Sequence, residues 1–470
     1  MSSGKSSLTG AGRPAAFLAG IAFPAAASLA AVSFQLWSPD PDVFWHLKVG
    51  EWVLEHGAVP RADVYSWTAQ GQPWTAHQWL WEALMAALYG RCGLYGLWAL
   101  VFVSALACAL FLRAGLLSRG VSLPAAAFSG GLAPLALTGW LKPWPQAGVY
   151  ALFSAYLFLS LRGKWDREGV LGAFFLAVLW SNVHSSACML PALLLAERVG
   201  QRLLGEREDD GLFAACGAAF LGTLANPHGP GLWAYAVREG LLTGEYRQTI
   251  SEWMPYWFGD VFHAALFFLC AAALFRAACL GKTRSVPFWR AAGFWALALV
   301  SRIYTPYALL STAVVAAPLA GEKLTAGYVN RCCAVLALLA ALSGPCLVKA
   351  PPADLDEQAA DKYPVKAVAV LDGSGIERVY NFYGWGGYLL FKDVPVFIDG
   401  RADLYRNGLF KEYISATRGE TDPVTLAESY GADGALALAG SLEDYAFRGA
   451  PGWEEVYRDD VAVVYRRGGP

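Results

Sequence analysis

The stretch PDPDVFWHL, residues 39–47, brings two carboxylates, an imidazole and an indole close together. Asp40 precedes Pro41 and is therefore extended. In an extended segment, residues two apart share a side, so Asp40 and Asp42 face the same way. The run DVFWHLKVGEWVLEHG then reads as an amphipathic helix, with Asp42 near its N-cap and Gly57 as its stop. His46 lies four residues after Asp42, on the same helical face. Such a trio suits a divalent cation, Mg²⁺ or Mn²⁺ held by Asp40 and Asp42, or a base that takes a hydroxyl proton. The same residues equally fit a capping Asp beside Trp45 and Trp52 anchored at headgroup depth.

Other polar clusters carry binding chemistry. SWTAQGQPWTAHQWLWEAL turns at Gly71 and Pro73 and enters a second helix. That helix has Gln78 and Glu82 on one face and His77 and Trp81 on another. An aromatic surface with polar edges can stack a sugar ring or lie in a lipid interface. LKPWPQ offers Lys142, WSNVHSS offers Asn182 and His184, NPHG offers His228, and ISEWMPYW offers Glu252. In SRIYTPY, Arg302 stands between two apolar runs, where an ionisable side chain points to function. Arg302 and Lys142 are candidates to clamp a lipid phosphate. A structural pair of Arg302 with Glu252 or Asp260 is the rival reading. Near the C-terminus, VFIDGRADLY ends an apolar strand in Asp399 and Arg401. Strand-end loops often carry sites, and a structural Asp–Arg turn fits these residues as well.

The elements that position these groups are membrane helices. The 470 residues are 56% hydrophobic and only 16% charged, with mean hydropathy +0.37. Repeated long apolar runs imply a polytopic membrane protein with about eleven spans. They fall near residues 15–37, 93–112, 122–140, 147–161, 169–181, 186–197, 211–225, 262–279, 290–301, 303–320 and 331–348. The pairs around Asn182 and Arg302 are short enough to be broken helices. The first run is read as a retained helix rather than a cleaved signal. A formal net charge of −2 argues against a nucleic-acid partner, and the nine cysteines sit mostly in or beside apolar runs, as small buried hydrophobes do.

Lys and Arg set orientation. With the N-terminus inside, the inner segments hold Arg113, Arg119, Arg162, Lys164, Arg167, Arg198, Arg202, Lys282, Arg284 and Arg290 among others. The outer segments are poorer in both. All six histidines then fall outside. This gives a membrane region at 1–349 with a large first outer loop at 38–92. Residues 350–470 follow as a small extracytoplasmic α/β domain. Its strands are expected in RVYNF, GYLLF, VPVFID, GALALA, EEVYRD and VAVVYRR, and its helices near 364–371 and 423–430. The expected place is a plasma membrane, crossed many times.

The segment from DPDVFWHLKVGEWVLEHG through WTAHQWL, with WSNVHSS, NPHG, SEW and YGWGGYLLF…VFIDGRADLY, resembles a bacterial family of multi-spanning membrane proteins. That family resembles the GT-C glycosyltransferases, the class of dolichyl-phosphate-mannose:protein mannosyltransferases and oligosaccharyltransferases. The resemblance implies a GT-C-like fold and transfer of a hexose or pentose from a polyprenyl-phosphate-linked donor. The acceptor is a hydroxyl of a glycan, lipid or protein. It also implies an acidic residue of the first outer loop as base or metal ligand, here Asp42 or Asp40 with His46 in support. Trp144 departs from the pattern, standing where an arginine is expected. Two rivals remain. A transporter of lipid-linked glycan calls for polar groups along a path across the bilayer, and here they gather on one side. A non-catalytic membrane scaffold calls for none of this chemistry.

Overall fold

The computed structural model describes residues 12–33, 40–241, 249–320, 327–328, 331–332, 352, 354–406 and 408–468. The protein is mostly helical, 67%, with one small mixed sheet. In chain order the helices begin α1 (Gly12–Ser33), α2 (Pro41–His56), α3 (Trp79–Cys92), α4 (Leu94–Ser118), α5 (Leu123–Ala136), α6 (Pro145–Arg162) and α7 (Arg167–Val183). They continue with α8 (Met189–Leu204), α9 (Gly211–Thr223), α10 (Gly231–Leu241), α11 (Val261–Cys279), α12 (Val286–Val300) and α13 (Thr305–Ala320). The chain divides into two compact units, residues 1–36 with 98–350 and residues 37–97 with 351–470. A division at 349/350 was expected to leave the first outer loop with the membrane region. The loop instead clusters with the C-terminal segment.

In the first unit, α1 packs on α5, α7 and α8 on α9, and α12 and α11 on α13. Phe153, Phe294 and Tyr307 form one aromatic knot, with Phe294 stacked on Tyr307 at 5.5 Å. Short 3₁₀ turns separate the helices at Thr138–Trp140, Ser185–Cys188, Ser251–Trp253 and Arg302–Tyr304. Ser, Asn and His side chains there bond to nearby backbone and compete with helix continuation. The pairs around Asn182 and Arg302 are accordingly helix–turn–helix rather than continuous rods.

Among the described residues, two helices are long and apolar enough to cross a membrane: Leu94–Ser118, with 25 residues, and Val261–Cys279, with 19. Gly20–Ser33, Leu123–Ala136, Gly211–Thr223 and Val286–Val300 are apolar but shorter. About 20 residues are needed to span hydrocarbon without tilt or thinning. The expected span at 331–348 lies outside the described residues except for 331–332.

In the second unit, α2 starts one step earlier than its sequence implies. Asp40, not Asp42, is the N-cap: its backbone is extended and its carboxylate accepts from the Asp42 N–H at 3.0 Å. Proline suits the first helical position, having no N–H to leave unpaired, so the helix begins at Pro41. Gly57 ends it as expected.

The C-terminal part of this unit adds α14 (Leu355–Ala359), α15 (Val365–Ser374), α16 (Gly386–Phe391), α17 (Leu409–Thr417), α18 (Pro423–Ser429) and α19 (Leu442–Gly449). Its strands are β1 (Val379–Asn381), β2 (Gly434–Leu438), β3 (Trp453–Arg458) and β4 (Ala462–Arg467). They lie in the order β1-β2-β4-β3, with β1 parallel to β2 and the other pairs antiparallel. Two expected strands are different structures. GYLLF is helical, because leucines without β-branched neighbours favour helix. VPVFID is extended but outside the ladder, joined by single bridges at Val396 to Val379 and to Ser66 of the first loop.

Candidate functional site

Asp42 sits in the first turn of α2, where helical geometry aims its carboxylate back over the cap. Its Oδ1 accepts from the indole N–H of Trp45 at 2.9 Å. Trp45 is buried and lies against the His46 ring, with centroids 3.6 Å apart. Asp42 itself is half-buried, so the carboxylate is anchored without being sealed.

Two glycines of the C-terminal segment make this wall. A Cβ on Gly400 would come within 2.6 Å of Asp42 Oδ1 and 3.0 Å of Trp45 Nε1. A Cβ on Gly387 would come within 2.6 Å of the Pro41 carbonyl. Only glycine permits so close an approach. The GWGG and DGRAD stretches therefore abut the start of α2 directly.

Gly400 is held by a closed ion cluster. Arg401 and Asp399 are both fully buried, as is Asp63 of the first loop. Arg401 Nη1 donates to Asp63 at 2.7 Å, and Nη2 and Nε donate to the two oxygens of Asp399 at 2.6 and 2.9 Å. The Tyr405 hydroxyl donates to Asp399 at 2.6 Å. Trp74 and Tyr65 cover the guanidinium with their ring centres at 4.8 and 5.1 Å. Asp63 also accepts from Ser66 N–H and Oγ, which fixes the loop turn. Asp399 and Arg401, expected to meet ligand, are thus spent on tying the first loop to the C-terminal segment.

Sequence reasoning missed Asp63 and Tyr405. A signal was present: RADVY at 61–65 recurs as RADLY at 401–405. The first copy supplies Asp63 and Tyr65, and the second supplies Arg401 and Tyr405.

His46 and Glu82 meet inside. Nδ1 and Oε1 lie 3.0 Å apart, with both side chains almost fully enclosed. Burial holds the Glu82 carboxyl well above the usual carboxylate range, and the nearby Arg401 charge opposes that only in part. Glu82 Oε1 faces His46, and its buried Oε2 has no hydrogen-bond partner among the described residues. His77 is buried at the entry to α3.

The remaining candidates lie in the first unit. Lys142 rests over the Trp144 ring at 4.9 Å. Asn182 donates to Val178 and Ala225 carbonyls, bridging α7 to the segment after α9. His184 Nδ1 accepts from Ser186 N–H and caps the 3₁₀ turn that follows. His228 lies in a turn closed by Asn226, whose Oδ1 accepts its N–H. Glu252 receives the Ser301 hydroxyl on its carbonyl. The Arg302 N–H donates to the Met254 carbonyl. No carboxylate among the described residues pairs with the Arg302 guanidinium, and the rival partner Asp260 pairs with His263 at 2.6 Å.

As a cation site, Asp40 and Asp42 offer two carboxylates, each with one oxygen already engaged at the helix start. Among the described residues no group of three or more His, Cys, Asp or Glu is placed to hold a metal. Compared with known proteins, the chain matches no protein-family model and no curated protein.

Proposed function

We propose that this protein is a GT-C-like glycosyltransferase of a bacterial plasma membrane. It spans the bilayer about eleven times, some spans being the shorter broken helices, with the second unit on the extracytoplasmic side. It transfers a sugar from a polyprenyl-phosphate-linked donor to a hydroxyl of a glycan, lipid or protein. The supporting observation is the convergence of three separated stretches, DPDVFW, GWGG and DGRAD, on the start of α2, with Gly400 set against the half-exposed carboxylate of Asp42. Asp42 takes the acceptor's hydroxyl proton, the freed oxygen bonds to the sugar's anomeric carbon, and the bond to phosphate breaks. The polyprenyl phosphate leaves with that electron pair. Asp40 holds the helix start, and the His46–Glu82 pair supports the floor behind Trp45. Nothing in this scheme is routed through a metal.

Arg302 offers a planar fork that a lipid phosphate matches bidentately. Arg302→Lys is expected to keep the melting temperature and weaken binding of undecaprenyl phosphate about tenfold. Equal binding by both proteins, with Arg302→Ala lowering only the melting temperature, would return Arg302 to a structural role.

Orientation has its own test. Lys411 is exposed on α17. A cysteine placed there is expected to react with an impermeant maleimide in intact spheroplasts. Reaction only after lysis would put residues 350–470 in the cytoplasm and end the proposed chemistry. A second reading, a non-catalytic scaffold, is favoured by the complete burial of Arg401 and Asp399. Its discriminating variant is Asp42→Asn, with the lipid-linked glycan profile of a deletion strain as the readout.

A further inference from the structure

Arg290 lies in the second turn of α12, with its side chain only 5% exposed. One nitrogen carries its hydrogen bonds, and the guanidinium carbon lies 5.5 Å from the centre of the Tyr156 ring. Nη1 donates to Ser160 Oγ at 3.0 Å and Tyr156 Oη at 3.3 Å, with Glu197 Oε2 at 3.8 Å. Nε and Nη2 are buried and have no hydrogen-bond partner among the described residues. These two nitrogens form one edge of the guanidinium plane, the edge that receives a phosphate or carboxylate through two parallel hydrogen bonds. Leaving such a charged, buried edge unmet is unfavourable, so it marks the place of an acceptor.

The surroundings favour phosphate. Arg119 reaches the same end of α6, donating from Nε to the Leu161 carbonyl and from Nη2 to that of Ser160. Arg290 and Arg119 both lie near the Glu197 carboxylate, where α4, α6, α8 and α12 meet, while the Glu206 carboxylate is engaged at the start of α12, accepting from the Val286 N–H at 3.2 Å. Trp289 beside it is 55% exposed, as suits an indole at headgroup depth. The charge bias places this end of the helices toward the cytoplasm. Basic pockets between membrane helices on that side receive acidic headgroups.

We infer that the unpartnered edge of Arg290 is a phosphate-binding site, filled by an anionic phospholipid headgroup or by free phosphate. The inference needs the membrane reading for its orientation only. It does not depend on glycosyl transfer, and an inactive Asp42 would leave it standing.

The test uses the full-length protein, purified in detergent and stripped of lipid. Phosphatidylglycerol, phosphatidylcholine and inorganic phosphate are titrated separately, with native mass spectrometry and the ligand-induced rise in melting temperature as readouts. Wild type is expected to bind phosphatidylglycerol over phosphatidylcholine. Arg290→Lys keeps a charge for Ser160 and Glu197 but loses the two-pronged edge, and should bind about tenfold more weakly. Arg119→Gln is expected to weaken binding as well, and the exposed Arg284→Gln to leave it unchanged. Reading the rise rather than the melting temperature itself separates binding from any loss of fold. A response to inorganic phosphate alone, abolished by Arg290→Lys, assigns the site to free phosphate. No response to either source, or equal binding by Arg290→Lys and wild type, overturns the inference.

Discussion

Asp42→Asn is expected to remove about 10²–10⁴-fold of the transfer rate while leaving the protein folded. The amide is nearly isosteric, and its oxygen still accepts from Trp45 Nε1, so the wall against Gly400 stays in place. What is lost is basicity, because an amide cannot take the acceptor's proton. A deletion strain carrying Asp42→Asn should show the same lipid-linked glycan profile as the deletion itself, at normal protein level. Asp40→Asn is the contrast. Asparagine caps a helix about as well as aspartate, so that variant should retain most activity if Asp40 serves only the helix start. Restoration of the wild-type profile by Asp42→Asn would remove Asp42 from the chemistry and leave the scaffold reading.

The local architecture was legible where one element decides it. Gly57 ends α2 where the sequence places its stop, and the apolar runs at 434–438 and 462–467 are strands, each with four successive buried residues. GYLLF was not legible, because a short apolar run reads as strand or helix alike and tertiary packing settles it. The site was half legible. Asp42 and His46 share a helix, so their spacing places them. Asp63 and Arg401 lie 338 residues apart, and no local pattern announces that they pair. Burial depth was not legible at all: Asp399, Arg401 and Glu82 are the residue types of a binding surface, and they are enclosed. Only the repeated RAD-x-Y stretch hinted that the first loop and the C-terminal segment belong together.

That junction supports the second large effect. Arg401→Met is expected to destabilise the second unit by about 3–5 kcal/mol, because it leaves the carboxylates of Asp399 and Asp63 buried without their counter-charge. Against a total stability of about 5–15 kcal/mol this is a large fraction. For a unit of this size it corresponds to a fall of about 10 °C in melting temperature. The loss should be local at first. The segment around Asp63–Trp74 would be released from the C-terminal body, and limited proteolysis should cut there before it cuts the helices of the first unit. The cost belongs to the orphaned charges rather than to the missing contact area, and a further variant isolates that. Replacing Arg401, Asp399 and Asp63 together with apolar residues of similar volume should recover much of the stability, since a buried ion cluster gains little over well-packed hydrophobes. Activity separates the two variants from wild type in a different way. Gly400 stands between Asp399 and Arg401, and its approach to Asp42 depends on how that turn is held. The apolar triple variant should therefore melt near wild type yet transfer sugar poorly. A triple variant that is both stable and fully active would show that the turn reaches Asp42 without its charges.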